Sequence, residues 1–310
     1  MKPIVVVGSI NMDLVSIADR IPLPGETVLG NEFQLHSGGK GANQAVAVAK
    51  LAYPSILLGK IGSDAFGTEL LETLAKYGVD TGEIERVDGS SGTASIVVNR
   101  EGENSIIVTP GANLKVTPDY LESKRDVLRG AGMILTQLEI PIETIRRLAE
   151  IAEEFQVPLM LDPAPAQMLD AATLSRITWF TPNQSETQFY VKTTDASEEI
   201  LKELFEAGMC NVILKRGSEG ALIAKADGTR HWVDAFFVNA IDTTAAGDAF
   251  NGAFAVASML GKSMEECASY AAAAAAISVT RKGAQPSLAS ETELDNFLAS
   301  KQESEASRAR

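Results

Sequence analysis

MILTQLEIPIETIRRLAEIAEEFQVPLMLD, residues 133–162, holds the alternation from which the fold can be read. Two short apolar runs, MILTQ (133–137) and PLMLD (158–162), flank a segment over 142–155 whose apolar residues recur every three to four positions. Strand, helix and strand in that order make a βαβ unit, whose crossover leaves the two strands parallel. The same signal recurs on either side. IVVVG (4–8), ILLG (56–59), ITWF (177–180) and NVILK (211–215) read as further strands, and 41–52, 66–77, 118–129 and 198–207 as further helices. The pattern predicts an α/β protein with a mainly parallel central sheet covered by helices on both faces. The last third changes character. Helices near 246–260, 263–281 and 290–299 follow with little strand between them, and KQESEASRAR (301–310) is a polar tail expected to fray.

Two stretches break the alternation. Residues 13–36 and 92–109 read as period-two strands with turn signals, PLPGE (22–26) and NREGEN (99–104), and no helix between them. Each leaves the α/β core and returns to it. They are expected to form a small discontinuous β-sheet beside the carboxyl ends of the main strands, where open parallel sheets bind ligands, and hence a lid. No internal repeat or low-complexity linker divides the chain, so 1–310 reads as a single domain.

The balance of 27 basic against 41 acidic residues gives a net charge of −14. Nucleic acid and anionic membrane, which call for basic surfaces, are disfavoured as main partners. An anionic substrate would have to be held by backbone amides, a few placed cations or a metal. Two cysteines, Cys210 and Cys267, form no framework and read as buried thiols in a reducing compartment. With only His36 and His231 available, a metal centre built on several histidines is disfavoured. The apolar run at the N-terminus is too short for a signal peptide, and the longest, 270–277, is far below the ~18 residues of a spanning helix. A cytoplasmic location is expected.

Five segments carry chemistry. DTTAAGD (242–248) opens a helical pattern with small residues, so the amides of Ala245, Ala246 and Gly247 can approach an anion. An acid there, Asp248, is electrostatically awkward unless it takes a proton while negative charge moves nearby. The alternative is that it only complements the helix dipole, worth ~0.3–1 kcal/mol. GSINMD (8–13) puts Asn11 and Asp13 on one side of an extended chain, suited to a polyhydroxyl ligand, although taken alone such residues more often serve a turn. SGGKGANQAVAVAKL (37–51) places Gly39, Lys40, Gly41 and Asn43 at a helix start. It is no Walker A loop, since Gly41 stands where Ser or Thr should follow the lysine. Close backbone approach, one cation and one amide remain. In TPNQSE (181–186), Asn183 and Glu186 could hold magnesium through waters or form a helix cap with its acidic partner. LKRGSEGA (214–221) is a strand, a glycine turn and a second strand.

Taken together, GSINMD (8–13), PGETVLG (24–30), GGKGANQA (38–45), TPNQSE (181–186), DTTAAGD (242–248) and TRKGAQPS (280–287) resemble the ribokinase family of sugar and nucleoside kinases, which also contains fructokinase and adenosine kinase. The segments keep the family order and span nearly the whole chain. The resemblance implies a ribokinase-like three-layer α/β fold whose lid also clasps a homodimer. It implies ATP-dependent phosphorylation of D-ribose at O5, with Mg2+ and an activating K+. Asn11, Asp13, Gly39, Lys40, Gly41, Asn43 and Glu139 would hold the sugar. Asp248 would be the base, and the amides of Ala245, Ala246 and Gly247 the anion hole. Asn183, Glu186 and the turn Lys215, Arg216, Gly217, Ser218, Glu219 and Gly220, with Gly247, would serve ATP and its metal. Asp242, Thr244, Ser278, Arg281, Gly283 and Ser287 would hold potassium. Two positions depart from the family pattern: Lys215 stands where threonine is common, and Ala272 where Asn or His often lies near the adenine. A kinase for fructose, a nucleoside or a sugar phosphate, and a sugar sensor without catalysis, are the rival readings. A dinucleotide-dependent dehydrogenase fails for want of GxGxxG after the first strand.

Overall fold

In the first strand, Ile4–Val7, every side chain is buried, but successive residues face opposite ways. Ile4 and Val6 join one hydrophobic core, Val5 and Val7 join another, and the sheet lies between the two. The computed structural model, which describes residues 1–193 and 197–308, builds three layers on this alternation. The strand Ile4–Val7 pairs in parallel with Ser55–Leu58 on one side and Met133–Gln137 on the other. Leu159–Asp162, Trp179–Phe180 and Asn211–Lys215 continue the parallel order. Gly220–Lys225 and Arg230–Asp234 then add antiparallel strands, so the sheet has eight. The helices Lys40–Lys50, Ala246–Met259 and Met264–Ser278 cover the Ile4/Val6 face, and Ile142–Phe155 and Ser197–Glu206 cover the other.

Small residues bring two of those helices unusually close. A Cβ added at Gly252 would lie 2.6 Å from the Ala47 Cβ, so Ala246–Met259 runs against Lys40–Lys50 with almost nothing between them. The alanine-rich Met264–Ser278 packs on the same layer.

The two irregular stretches form a separate four-stranded sheet. Asn11–Ala18 pairs antiparallel with Gly30–Gly38, and Gly92–Val98 antiparallel with Asn104–Thr109. The two pairs meet along a parallel seam from Asn11↔Gly92 to Ile17↔Val98. The cross-strand register puts the exposed Phe33, Leu35 and Ile107 on one face of this sheet, and the exposed Ile106 and Val108 on the other, with Asp13.

Some expectations change in detail. The helix read over 118–129 is two, Pro118–Ser123 and Arg125–Gly130, parted at Lys124. The Lys124 ammonium pairs with Glu83 and Glu85, at 3.1 and 3.2 Å. The final helix extends well past 299, as Glu291–Arg308, through most of the tail expected to fray; 309–310 lie outside the described residues. Cys267 is buried as expected, but Cys210 is exposed, because it sits in the turn before Asn211–Lys215 rather than in the strand. No helix among the described residues is long and apolar enough to cross a membrane.

Candidate active site

The carboxyl ends of the parallel strands and the N-termini of Lys40–Lys50 and Ala246–Met259 converge on one cleft. Glycines allow the convergence. At Gly41 a Cβ would sit 2.6 Å from the Gly8 carbonyl carbon and the Ser9 nitrogen, so no side chain fits between helix and first strand. Gly39 takes φ 86°, open to glycine at no cost, and turns the chain from the small sheet into the helix. The Ala42 N–H then donates to the Ser9 carbonyl at 2.9 Å.

At one end of the cleft the side chains present acceptors. The Lys40 N–H donates to Glu139 Oε2 at 3.1 Å, and the Ser9 hydroxyl donates to the same oxygen. Burial, and then the charge of Glu139, push the Asp13 carboxyl up to about 7. Asn11 Oδ1 accepts from Asn113 Nδ2 at 2.7 Å, and Asn113 Oδ1 accepts from the Ile10 N–H at 3.0 Å. Asn43 Oδ1 is buried with no partner among the described residues. Two carboxylates close together and an orphaned amide oxygen form a set that hydroxyl donors would satisfy. The structure therefore brings Asn11, Asp13, Gly39, Lys40, Gly41, Asn43 and Glu139 together.

Asp248 lies one step further in, enclosed in the first turn of Ala246–Met259. Its Oδ2 accepts from Asn43 Nδ2 at 3.0 Å and its Oδ1 from Gln44 Nε2 at 3.1 Å. Burial pushes its carboxyl up to about 6; Lys40 pulls it down and Asp162 pushes it up. Burial opposes the Lys40 charge, but Asp248, Asp162, Glu139 and Glu186 around it hold the ammonium above its usual range. No side chain caps this helix, and Ala245 turns the chain through the left-handed region, φ 60°. Ala246 N–H makes a long bond, 3.3 Å, to the Thr243 carbonyl inside the turn. The first-turn amides thus face the cleft with no side-chain acceptor.

Beyond Asp248 the cleft opens to about 570 Å³, lined by Asn183, Glu186, Lys215, Gly217, Ser218 and Gly220 among others. Asn183 and Glu186 do form the helix cap. Asn183 Oδ1 accepts from the Glu186 N–H at 2.9 Å, while Glu186 accepts from the Asn183 N–H and Nδ2, both at 2.8 Å. Both still line the cleft, so cap and ligand site are not exclusive. Arg216 and Glu219 pair with each other at 2.9 Å and do not line it.

Next to the Ala245 turn, Asp242 joins two segments. Its Oδ1 accepts from the Thr244 N–H and hydroxyl at 2.9 and 2.6 Å, and its Oδ2 from the Gly283 N–H at 2.8 Å. The hydroxyls of Ser278 and Ser287 donate to the carbonyls of Ala275 and Ala284, and the Arg281 side chain pairs with Glu293 at 2.7 Å. Any ion here would therefore meet Asp242 and backbone carbonyls.

Sequence reasoning missed Ser9, Gln44, Asn113, Gln137 and Asp162. Gln137 Nε2 donates to Gln44 Oε1 at 2.7 Å, Gln44 Nε2 lies 3.2 Å from Asp162 Oδ2, and Lys215 Nζ donates to Asp162 Oδ1 at 2.9 Å. Gln137 and Asp162 end two strands that the sequence located, which was a usable signal. Asn113, in a short 3-10 turn, offered none.

Residues 1–291 match the pfkB family of carbohydrate kinases. The chain is 40% identical to the ribokinase of Bacillus subtilis, over 96% of this chain and 100% of that protein. It is 36% identical to the deoxyribokinase of Salmonella typhi, over 95% and 98% of the two chains. The structure of Arabidopsis thaliana ribokinase complexed with ribose and ATP superposes with a TM-score of 0.89 at 34% identity, covering 96% of this chain and 98% of that one.

Proposed function

The chain belongs to the pfkB family of carbohydrate kinases, and within it we propose that the protein transfers the γ-phosphoryl group of ATP to the 5-hydroxyl of D-ribose, giving D-ribose 5-phosphate and ADP. One observation carries this reading above the rest. The buried Asp248 carboxylate lies where an acceptor-lined pocket, suited to hydroxyl groups, meets a cleft suited to a nucleotide.

Asn11, Asp13, Asn43 and Glu139 hold the sugar hydroxyls and aim O5 at the nucleotide. Asp248 takes the O5 proton as the new O–P bond forms and the bond to ADP breaks. With a carboxyl raised to about 6, it is mostly ionised at neutral pH yet basic enough to hold the proton in passing. The first-turn amides of Ala246–Met259, with Lys40 and Lys215, face the charge that spreads over the phosphoryl oxygens. The oxygens of Asn183 and Glu186 line the cleft and fit Mg2+, a hard ion that keeps several waters and would offset phosphate charge when bound. One carboxylate, Asp242, among the carbonyls of Thr244, Ser278, Arg281 and Gly283 and the residue Ser287 fits a weakly hydrated monovalent cation, K+, as activator.

The small sheet acts as a lid that excludes water. Its face away from Asp13, with Phe33, Leu35 and Ile107 exposed, is the surface of a homodimer in a cytoplasmic enzyme. The test is ADP release over D-ribose, 2-deoxy-D-ribose, D-fructose and adenosine. D-ribose should give the highest kcat/KM. The similarity to a deoxyribokinase makes 2-deoxy-D-ribose the second reading, and a larger kcat/KM for it would replace the first.

A further inference from the structure

Five side chains behind the reacting end of the cleft, four of them buried, form one connected chain of hydrogen bonds. Gln137 fixes the Gln44 amide through its oxygen, at 2.7 Å. That leaves Gln44 Nε2 to serve two carboxylates, Asp248 Oδ1 at 3.1 Å and Asp162 Oδ2 at 3.2 Å. Lys215 then holds the other Asp162 oxygen at 2.9 Å. Asp162, Gln44 and Gln137 are almost completely buried. An amide orientation is two-fold ambiguous by itself. Here only one orientation gives both Gln44 Oε1 a donor and both carboxylates an N–H.

We propose that Asp162 is a positioning residue for Asp248: it anchors, through Gln44, the amide that aims the base, and its charge strengthens that base. The inference rests on the reading of Asp248 as the proton acceptor. Two carboxylates sharing one amide cannot both ionise as freely as either alone. The side that loses is the one without its own cation. Asp162 has Lys215 bonded to it, whereas Asp248 receives only neutral amides directly. The charged groups acting on Asp248 are Lys40, which weakens it as a base, and Asp162, which strengthens it; Asn43 and Gln44 contribute hydrogen bonds to the ionised form. Glu139 and Glu186 stand around Lys40 and temper its effect. The Lys215 ammonium also lies against the Gly247 turn, 3.4 Å from where a Cβ there would sit, so the pair borders the first turn that carries Asp248.

The pair also gives opposite signs to two substitutions, which a merely structural role would not. Asp162→Asn keeps shape but removes the negative charge and frees the Lys215 cation, and both changes make Asp248 more acidic. Lys215→Met removes the cation and leaves Asp162 bare, which makes Asp248 less acidic. The experiment is the pH dependence of kcat at saturating sugar and nucleotide, where Asp13 is held by the sugar and does not set the limb, from pH 4.5 to 8, in wild type, Asp162→Asn, Lys215→Met and Asp248→Asn. The acid limb should move down by about one pH unit in Asp162→Asn, a roughly tenfold change in proton affinity, and upward in Lys215→Met. An acid limb unmoved in both folded variants, or moved in the same direction in both, overturns the proposal. If Asp162→Asn fails to fold, the direction in Lys215→Met alone decides. Near-normal turnover in Asp248→Asn would instead remove the base assignment on which the inference stands.

Discussion

Replacing Asp248 by asparagine should make the protein slower and sturdier at once. The carboxyl is raised from 3.8 to about 6 by burial and by Asp162, against the pull of Lys40. Between those two values the native state holds a proton that the unfolded chain has released. Stability therefore falls as pH rises through that window, and the loss is complete above about pH 6. Two pH units correspond to ~3 kcal/mol. The neutral amide of the variant has no charge to desolvate, and so escapes that cost. It also lacks one of the two acceptors, leaving an N–H facing Asn43 or Gln44, which takes back ~1–2 kcal/mol. A net gain of ~1–2 kcal/mol is expected at pH 7.5, shrinking towards zero near pH 5, where the wild-type acid is itself protonated. Turnover, in contrast, should fall ~10²–10⁴-fold, the usual worth of a positioned base. Urea melts at both pH values, beside a coupled ADP assay at pH 7.5, measure the two effects. A variant less stable than wild type at pH 7.5, or a stability difference equal at both pH values, would refute the electrostatic argument. Retained turnover would refute the catalytic one.

Other consequences can be measured separately. Asp13→Ala should weaken ribose binding by ~1.5–3 kcal/mol in calorimetry, as expected for a charged hydrogen bond, and leave a non-hydrolysable ATP analogue almost unaffected; equal losses for both would make Asp13 structural. Turnover should be higher in potassium or caesium than in sodium at matched ionic strength, with the difference abolished by Asp242→Asn; a wild type indifferent to the cation would remove the site. Ile107→Asp, on the exposed face of the small sheet, should give monomers in sedimentation with an unchanged urea midpoint, and an unchanged sedimentation coefficient would argue against that face as the dimer surface.

The sequence was most legible where one physical rule acted alone. The helix over 142–155 matches Ile142–Phe155 because its apolar period and its flanking strands agree. The strand Arg230–Asp234 escaped notice because RHWVD is polar and half exposed, with no apolar run to mark an edge position. The pair Lys60–Gly62 and Glu85–Val87 is three residues long on each side, too short for a period to show. At the site, residues with a local signature were visible: glycines before a lysine, small residues before an acid. Gln44 was not, because its role depends on a meeting with Asp162 across 118 positions of chain that no local pattern encodes. The break at Lys124 was not visible either, since no glycine or proline interrupts 119–129 to mark it.

The small sheet and the sugar-facing residues share the same strands. Asn11 and Asp13 begin Asn11–Ala18, and Gly30–Gly38 ends one residue before Gly39 and Lys40. If the sheet moves as the proposed lid, it is a lever whose fulcrum is the proposed sugar pocket and whose free arm carries exposed apolar residues. Whatever engages the arm and whatever fills the fulcrum would then act on a single equilibrium of sheet position. Their effects must then be reciprocal: if occupying the pocket favours association of the face, association tightens the pocket by the same factor. Apparent sugar affinity would then depend on protein concentration, so that values taken in dilute and in concentrated solution describe different populations of one molecule.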